Sequence, residues 1–162
     1  MKYTVAVPIE LQNTIRKLPL DAKFKDTLAL AQYGSDIWFT DKKVNKHFDK
    51  TEDGKDSIFC VIVNDADYKF IRWGAEKEIY DLPVGAVIRH DGRIIHEVRK
   101  SRKRGRFAVL IWDVPIEKDT NQLAKEILRE LYKPNNRKLV EVVFSQQIDK
   151  ASTPEKREGV GG

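Results

Sequence analysis

The chain has 162 residues, 41% of them apolar and 34% charged, with a net charge of +5 and one cysteine. That length suits one domain burying roughly 70% of its unfolded surface, and the composition argues against a disordered or membrane-embedded chain. A single cysteine excludes an internal disulfide and a multi-cysteine zinc site.

The N-terminal MKYTVAVPIELQN lacks the apolar core and cleavage site of a signal peptide, so an intracellular protein is expected. TVAVPIE reads as a first strand. Leu11, Ile15 and Leu18 follow at helical spacing, up to Pro19. Residues 21–34 read as a helix closed by Gly34, and DIWF as a short strand. Residues 40–48 read as a short polar helix capped by Thr40 or Asp41, with His47 exposed on it. SIFCVIV is continuously apolar, as in a strand covered on both faces. Cys60, inside that run, reads as a small buried hydrophobe. NDAD is a turn, and YKFIRW the returning strand.

VGAVIR, the turn HDG and RIIHEVR read as a hairpin, because Asp-Gly between apolar runs favours a tight reversal. RFAVLIWDVP is a second continuously apolar strand. A helix follows, capped by Asp119 or Thr120, with Leu123, Ala124, Ile127, Leu128 and Leu131 on one stripe. KLVEVVF completes a β-α-β unit. The sum is an α+β fold: a mixed, mostly antiparallel sheet of about six strands with flanking helices and a C-terminal β-α-β unit. Residues 1–150 form the domain and 151–162 a polar tail, which offers a contact for other protein chains.

Function is read first from KSRKRGR. With Arg99 included, the segment holds Arg99, Lys100, Arg102, Lys103, Arg104 and Arg106. These six exceed the net charge of the whole chain, so the remainder is close to neutral. On a hairpin tip they would contact the phosphates of DNA or RNA, with Lys69 and Arg72 as flankers and nearby aromatics as stacking platforms. The expectation is a non-enzymatic nucleic-acid-binding accessory protein without cofactor or metal. An assembly subunit of a larger complex is a further alternative.

A second pattern carries chemistry. Asp81 precedes one strand, and Glu97 and Arg99 lie on the next, followed by a strand, a helix and a strand. This order resembles the PD-(D/E)XK nucleases, with Tyr80 where that family has Pro and Arg99 where it has Lys. The resemblance implies a Mg2+-dependent nuclease with Asp81 and Glu97 as metal ligands and Arg99 in the lysine position. PVGAVIRHDGRII is similar to the opening hairpin of the nucleoside deaminases, but their two-cysteine zinc motif is missing. Of the histidines, His90 sits at a turn and His96 on a strand face opposite Glu97. Two histidines without a third ligand make no metal site, so none is assigned.

Overall fold

The computed structural model describes residues 3–20, 24–25 and 36–131. In chain order these form β1 (Tyr3–Thr4), α1 (Ile9–Lys17), β2 (Phe24–Lys25), β3 (Asp36–Thr40), β4 (Val44–His47), β5 (Lys55–Asn64), β6 (Lys69–Trp73), β7 (Lys77–Asp81), β8 (Ala86–His90), β9 (His96–Arg99), β10 (Phe107–Pro115) and α2 (Thr120–Leu131).

The strands make two antiparallel sheets. One has the order β1-β8-β5-β10-β3-β2, the other β4-β9-β6-β7. β5 and β10 pair over their whole length at the centre of the larger sheet. Both are buried on two faces, as continuous apolar runs require. On one face Ile58, Cys60 and Ile62 of β5, with Leu110 and Trp112 of β10, pack against Leu11 and Ile15 of α1 and Leu123 and Ile127 of α2. On the other, Phe59, Val61, Phe107 and Val109 meet Phe70, Val98 and Val44 of the smaller sheet. A register shift beside Val109 puts Ile62 and Val63, adjacent in sequence, on the same face. Asp119 caps α2, its carboxylate accepting from the Gln122 N–H at 3.1 Å.

The architecture corrects the expected fold class. The strands form a double-sheet jelly roll rather than one mixed sheet with flanking helices, and both helices lie on one outer face. Residues 44–47 are strand β4, not part of a polar helix. The expected helix at 21–34 lies outside the described residues except for 24–25, which form β2. The strand KLVEVVF and the tail also lie outside them.

The apparent hairpins are crossings between sheets. β8 pairs with β5 and β1, whereas β9 pairs with β6 and β4. The Asp91-Gly92 turn therefore carries the chain from one sheet to the other. The same is true of NDAD, between β5 and β6, and of the basic segment, between β9 and β10. A turn sequence makes the chain reverse without choosing the strand it pairs with; the β6–β7 ribbon is a local pair.

The basic segment is accordingly a fitted crossover rather than a projecting ribbon. The Ser101 and Arg102 N–H groups both donate to the Ala66 carbonyl. Lys100 Nζ donates to the Asp41 carbonyl at 2.7 Å and to that of Lys103 at 2.9 Å. Arg106 Nη1 donates to the carbonyls of Ile15 at 2.5 Å and Leu18 at 2.7 Å, at the C-terminal end of α1. Gly105 has φ +136°, and a Cβ there would stand 2.4 Å from the Asp65 carbonyl oxygen, so the approach needs glycine.

Candidate metal centre

β4 and β9 are neighbours in the smaller sheet, with His47 directly opposite His96. The register shifts between Val44 and His47, so β4 carries one extra residue there. Residues three apart on a regular strand point to opposite faces. Here Val44 and His47 both line the space between the sheets. The bulge thus turns His47 inward. Asp49 follows two residues on, and its N–H donates to the Gly92 carbonyl at 2.7 Å, which ties it to the crossover between β8 and β9.

Both imidazoles have one nitrogen committed. His47 Nδ1 lies 2.7 Å from the Asn45 carbonyl oxygen, and His96 Nδ1 2.7 Å from that of Ile94. A carbonyl only accepts, so each Nδ1 carries a proton and each Nε2 is free to ligate. Both Nε2 atoms face one carboxylate: His47 Nε2 is 3.5 Å from Asp49 Oδ1, and His96 Nε2 3.3 Å from Asp49 Oδ2. The ligand atoms of the three residues all lie within 4.8 Å of one another. Neutral imidazoles would aim lone pairs at carboxylate oxygens, an arrangement favourable only with a cation between them. A proton on each ring or a shared metal ion meets that need. Donors about 2.1 Å from a common ion stand roughly 3.0–3.4 Å apart, close to the two histidine–aspartate spacings. The cluster therefore fits a metal by its donor types and by their aim.

Burial pushes the Asp49 carboxyl up, but the His96 hydrogen bond and the charges of His96, His47 and His90 outweigh it and hold the group below its usual value. His90 is buried beside the cluster, its ring centroid 4.8 Å from that of His96. Burial, with His96 next to it, pulls His90 down to about 4, so it is neutral at physiological pH. The cluster opens on a cavity of about 240 Å³ walled by Phe59, Phe70, Phe107, Val109 and Ile111.

The residues singled out from sequence are not assembled into a site. Arg99 pairs with Glu97 at 2.6 Å on the outer face of the smaller sheet. Asp81 is exposed and pairs with Lys69 at 2.7 Å. Glu97 is opposite Ile71, and Asp81 opposite Lys69, so β6 separates the two acids by roughly 10 Å. They cannot share the nuclease metal that the resemblance implied. Arg72 faces the other way, opposite His96, with its Nε buried. Lys100 and Arg106 are occupied by backbone carbonyls, which leaves Arg102, Lys103 and Arg104 as the exposed cations of the segment besides the Glu97-paired Arg99. Tyr68, Phe70, Phe107 and Trp112 are core residues, not stacking platforms. The polar centre of the molecule is the His-Asp-His cluster, which overturns both the nucleic-acid reading and the expectation of no metal. No helix among the described residues is long and apolar enough to cross a membrane.

The missed signal was His47-Phe48-Asp49. Along an extended chain, residues two apart share a face, so the spacing places an imidazole and a carboxylate together. Reading 40–48 as a helix hid it.

A jelly roll carrying a two-histidine, one-carboxylate cluster between its sheets is what the fold and side chains define. No family model and no curated protein matches the chain. Among solved structures it is similar to a 2OG-Fe(II) oxygenase family oxidoreductase from Burkholderia pseudomallei, at 20% identity and TM-score 0.42, over 49% of this chain and 41% of that one. It is also similar to a cupin protein from Bacteroides fragilis, at 18% identity and TM-score 0.42, over 64% and 84%. Bacillus subtilis oxalate decarboxylase, as a mutant, matches at 9% identity and TM-score 0.39, over 58% and 28%. The chain thus spans about two-fifths of the oxygenase. These are partial likenesses.

Proposed function

We propose that this protein is a metal-dependent enzyme of the non-haem Fe(II) type, with His47, Asp49 and His96 as ligands and a small organic molecule as substrate. The observation that carries this is the aim of two Nδ1-anchored imidazoles at one carboxylate. Two histidines and one carboxylate, with positions left open, are the ligand set of non-haem Fe(II) oxygenases. A bound Fe(II) would supply Lewis acidity and open positions for reactants.

The chain's own residues do the rest. Asn45 and Ile94 carbonyls hold the two rings in orientation, and Gly92 fixes Asp49. Phe59, Phe70, Phe107 and Val109 give the cavity beside the cluster an apolar wall.

Anaerobic equilibrium dialysis with Fe(II), and with Co(II) as a coloured substitute, tests the assignment. One ion per chain is expected, and Asp49→Ala or His96→Ala should weaken binding by about a hundredfold or more. Arg104→Ala should bind as the parent does. Substoichiometric metal, or ligand variants that bind normally, would refute the reading.

A further inference from the structure

Among the described residues, β7 pairs with β6 on one side and with no strand on the other. The other sheet edges are blunted by their own form. β1 and β2 are two residues long, and β4 carries the bulge that turns His47 inward. β7 is regular over Lys77–Asp81. Which of its backbone groups face outward follows from β6. The Trp73 N–H donates to the Ile95 carbonyl at 2.8 Å, so Trp73 and, by alternation, Ile71 bond towards β9. Arg72 and Phe70 then bond towards β7, to Glu78 and Tyr80 opposite them. The N–H and C=O of Lys77 and Ile79 therefore point away from the sheet. Side chains alternate as well. Phe70 and the Tyr80 opposite it pack on the core between the sheets, which puts Lys77, Ile79 and Asp81 on the outer face. Ile79 is 56% exposed there.

We propose that β7 pairs antiparallel with β7 of a second copy of this chain, about a two-fold axis at Ile79, to form a weak homodimer. The run Lys77-Glu78-Ile79-Tyr80-Asp81 is self-complementary about its centre. With Ile79 opposite the partner's Ile79, the two exchange both backbone hydrogen bonds and cover each other's exposed side chain. Lys77 falls opposite the partner's Asp81, and the symmetry makes this opposite-charge pair twice. Asp81 also holds Lys69 of its own chain at 2.7 Å, so each carboxylate lies between two ammonium groups. Glu78 meets the partner's Tyr80, the same two side chains that hydrogen-bond within one chain. Neighbouring registers fit worse. A shift of two residues one way sets Glu78 against the partner's Glu78, and the other way sets Ile79 against the partner's Asp81. In the matched register the two four-stranded sheets join into one. A strand of five residues buries little area, so the dimer forms and parts with concentration rather than being permanent. β6 lies between β7 and the strands that carry His96 and His47, so the contact leaves the metal cluster untouched and stands apart from the metal reading.

Sedimentation velocity of the full chain over a concentration series tests this. The mass is expected to rise from that of one chain towards that of two. Lys77→Asp sets acids against each other across the axis, and Asp81→Lys sets ammonium groups against each other. Each variant alone should associate at least about tenfold more weakly than the parent. An equimolar mixture of the two should recover the dimer, because every acid at these positions then faces a lysine. Recovery in the mixture also shows that both variants fold. Ile79→Pro removes an N–H that faces outward and leaves the β6 ladder intact, so it should stay monomeric while keeping the parent's circular dichroism. A single-chain mass at every concentration, a dimer that persists in Ile79→Pro or in either charge variant alone, or a mixture that stays monomeric would overturn the proposal. Neither result bears on metal uptake, which the dialysis experiment decides separately.

Discussion

Arg106 gives the sharpest test of how the basic segment works. If it were a phosphate contact, its removal would leave stability untouched. In the structure its guanidinium donates to the Ile15 and Leu18 carbonyls and lies 5.3 Å from the centroid of the Phe39 ring. Burial pulls the Arg106 pKa down, yet the nearby Asp41 and Asp65 charges favour the cation and it stays charged. Hydrogen bonds to charged groups contribute about 1.5–3 kcal/mol each. The group is half-buried, so water can replace part of what is lost, and the low end applies. Arg106→Ala should therefore cost about 3 kcal/mol, or roughly 6–12 °C in Tm for a chain of this length. Urea unfolding followed by tryptophan fluorescence measures it, with Arg104→Ala as a control expected within about 0.5 kcal/mol of the parent. Arg106→Lys, which reaches fewer carbonyls, should fall between. A loss under about 1 kcal/mol for Arg106→Ala would show that the end of α1 does not depend on this side chain.

Metal should stabilise the fold: an ion held at a hundred times its Kd adds about 2.7 kcal/mol, or roughly 5–11 °C, reversed by chelator and absent in His47→Ala. Thermal scans with and without Co(II) decide this. Asp113 gives a pH effect. Its folded-state pKa is raised, chiefly by burial, with the Asp49 and Glu52 charges adding and Lys55 opposing. The native state thus disfavours the anion, a penalty absent below the unfolded value, growing as pH rises from there to the folded one and constant above it. Asp113→Asn in metal-free protein should gain stability at pH 7 but not at pH 3, and equal effects at both would contradict the assignment. Cys60 is fully buried and its thiol is pushed up to about 12 by burial. Alkylation should proceed only at the rate of unfolding, and rapid labelling of native protein would show that β5 is not covered as described.

Much of the strand content was legible because it rests on local chemistry. SIFCVIV and RFAVLIWDVP contain no alternation, and two-sided burial of β5 and β10 is the physical consequence. The stripe of Leu123, Ala124 and Ile127 specified α2 in the same way. What local chemistry does not carry is sheet membership. VGAVIR and RIIHEVR are separated by a strong turn, yet β8 and β9 belong to opposite sheets. The partners of β9 are β4, some fifty residues earlier, and β6. Charge misled for a related reason. Six cations within eight residues suggest a solvated tip, whereas Lys100 and Arg106 reach carbonyls on segments far away in the chain.

The metal cluster was hidden by both effects at once. Pairing of β4 with β9 sets His47 against His96, a contact that no sequence spacing announces. Pairing alone is not sufficient, because an unbroken β4 would send His47 to the face opposite Val44. The extra residue in β4 reverses that, and Asp49 then falls on the same side, where the Gly92 carbonyl receives its N–H. Gly92 stands in that position because the Asp91-Gly92 turn joins β8 to β9 across the two sheets. The feature that misled as a hairpin is therefore part of what builds the site: one crossover fixes Asp49 and places His90 and His96 at its two ends, beside the same cavity.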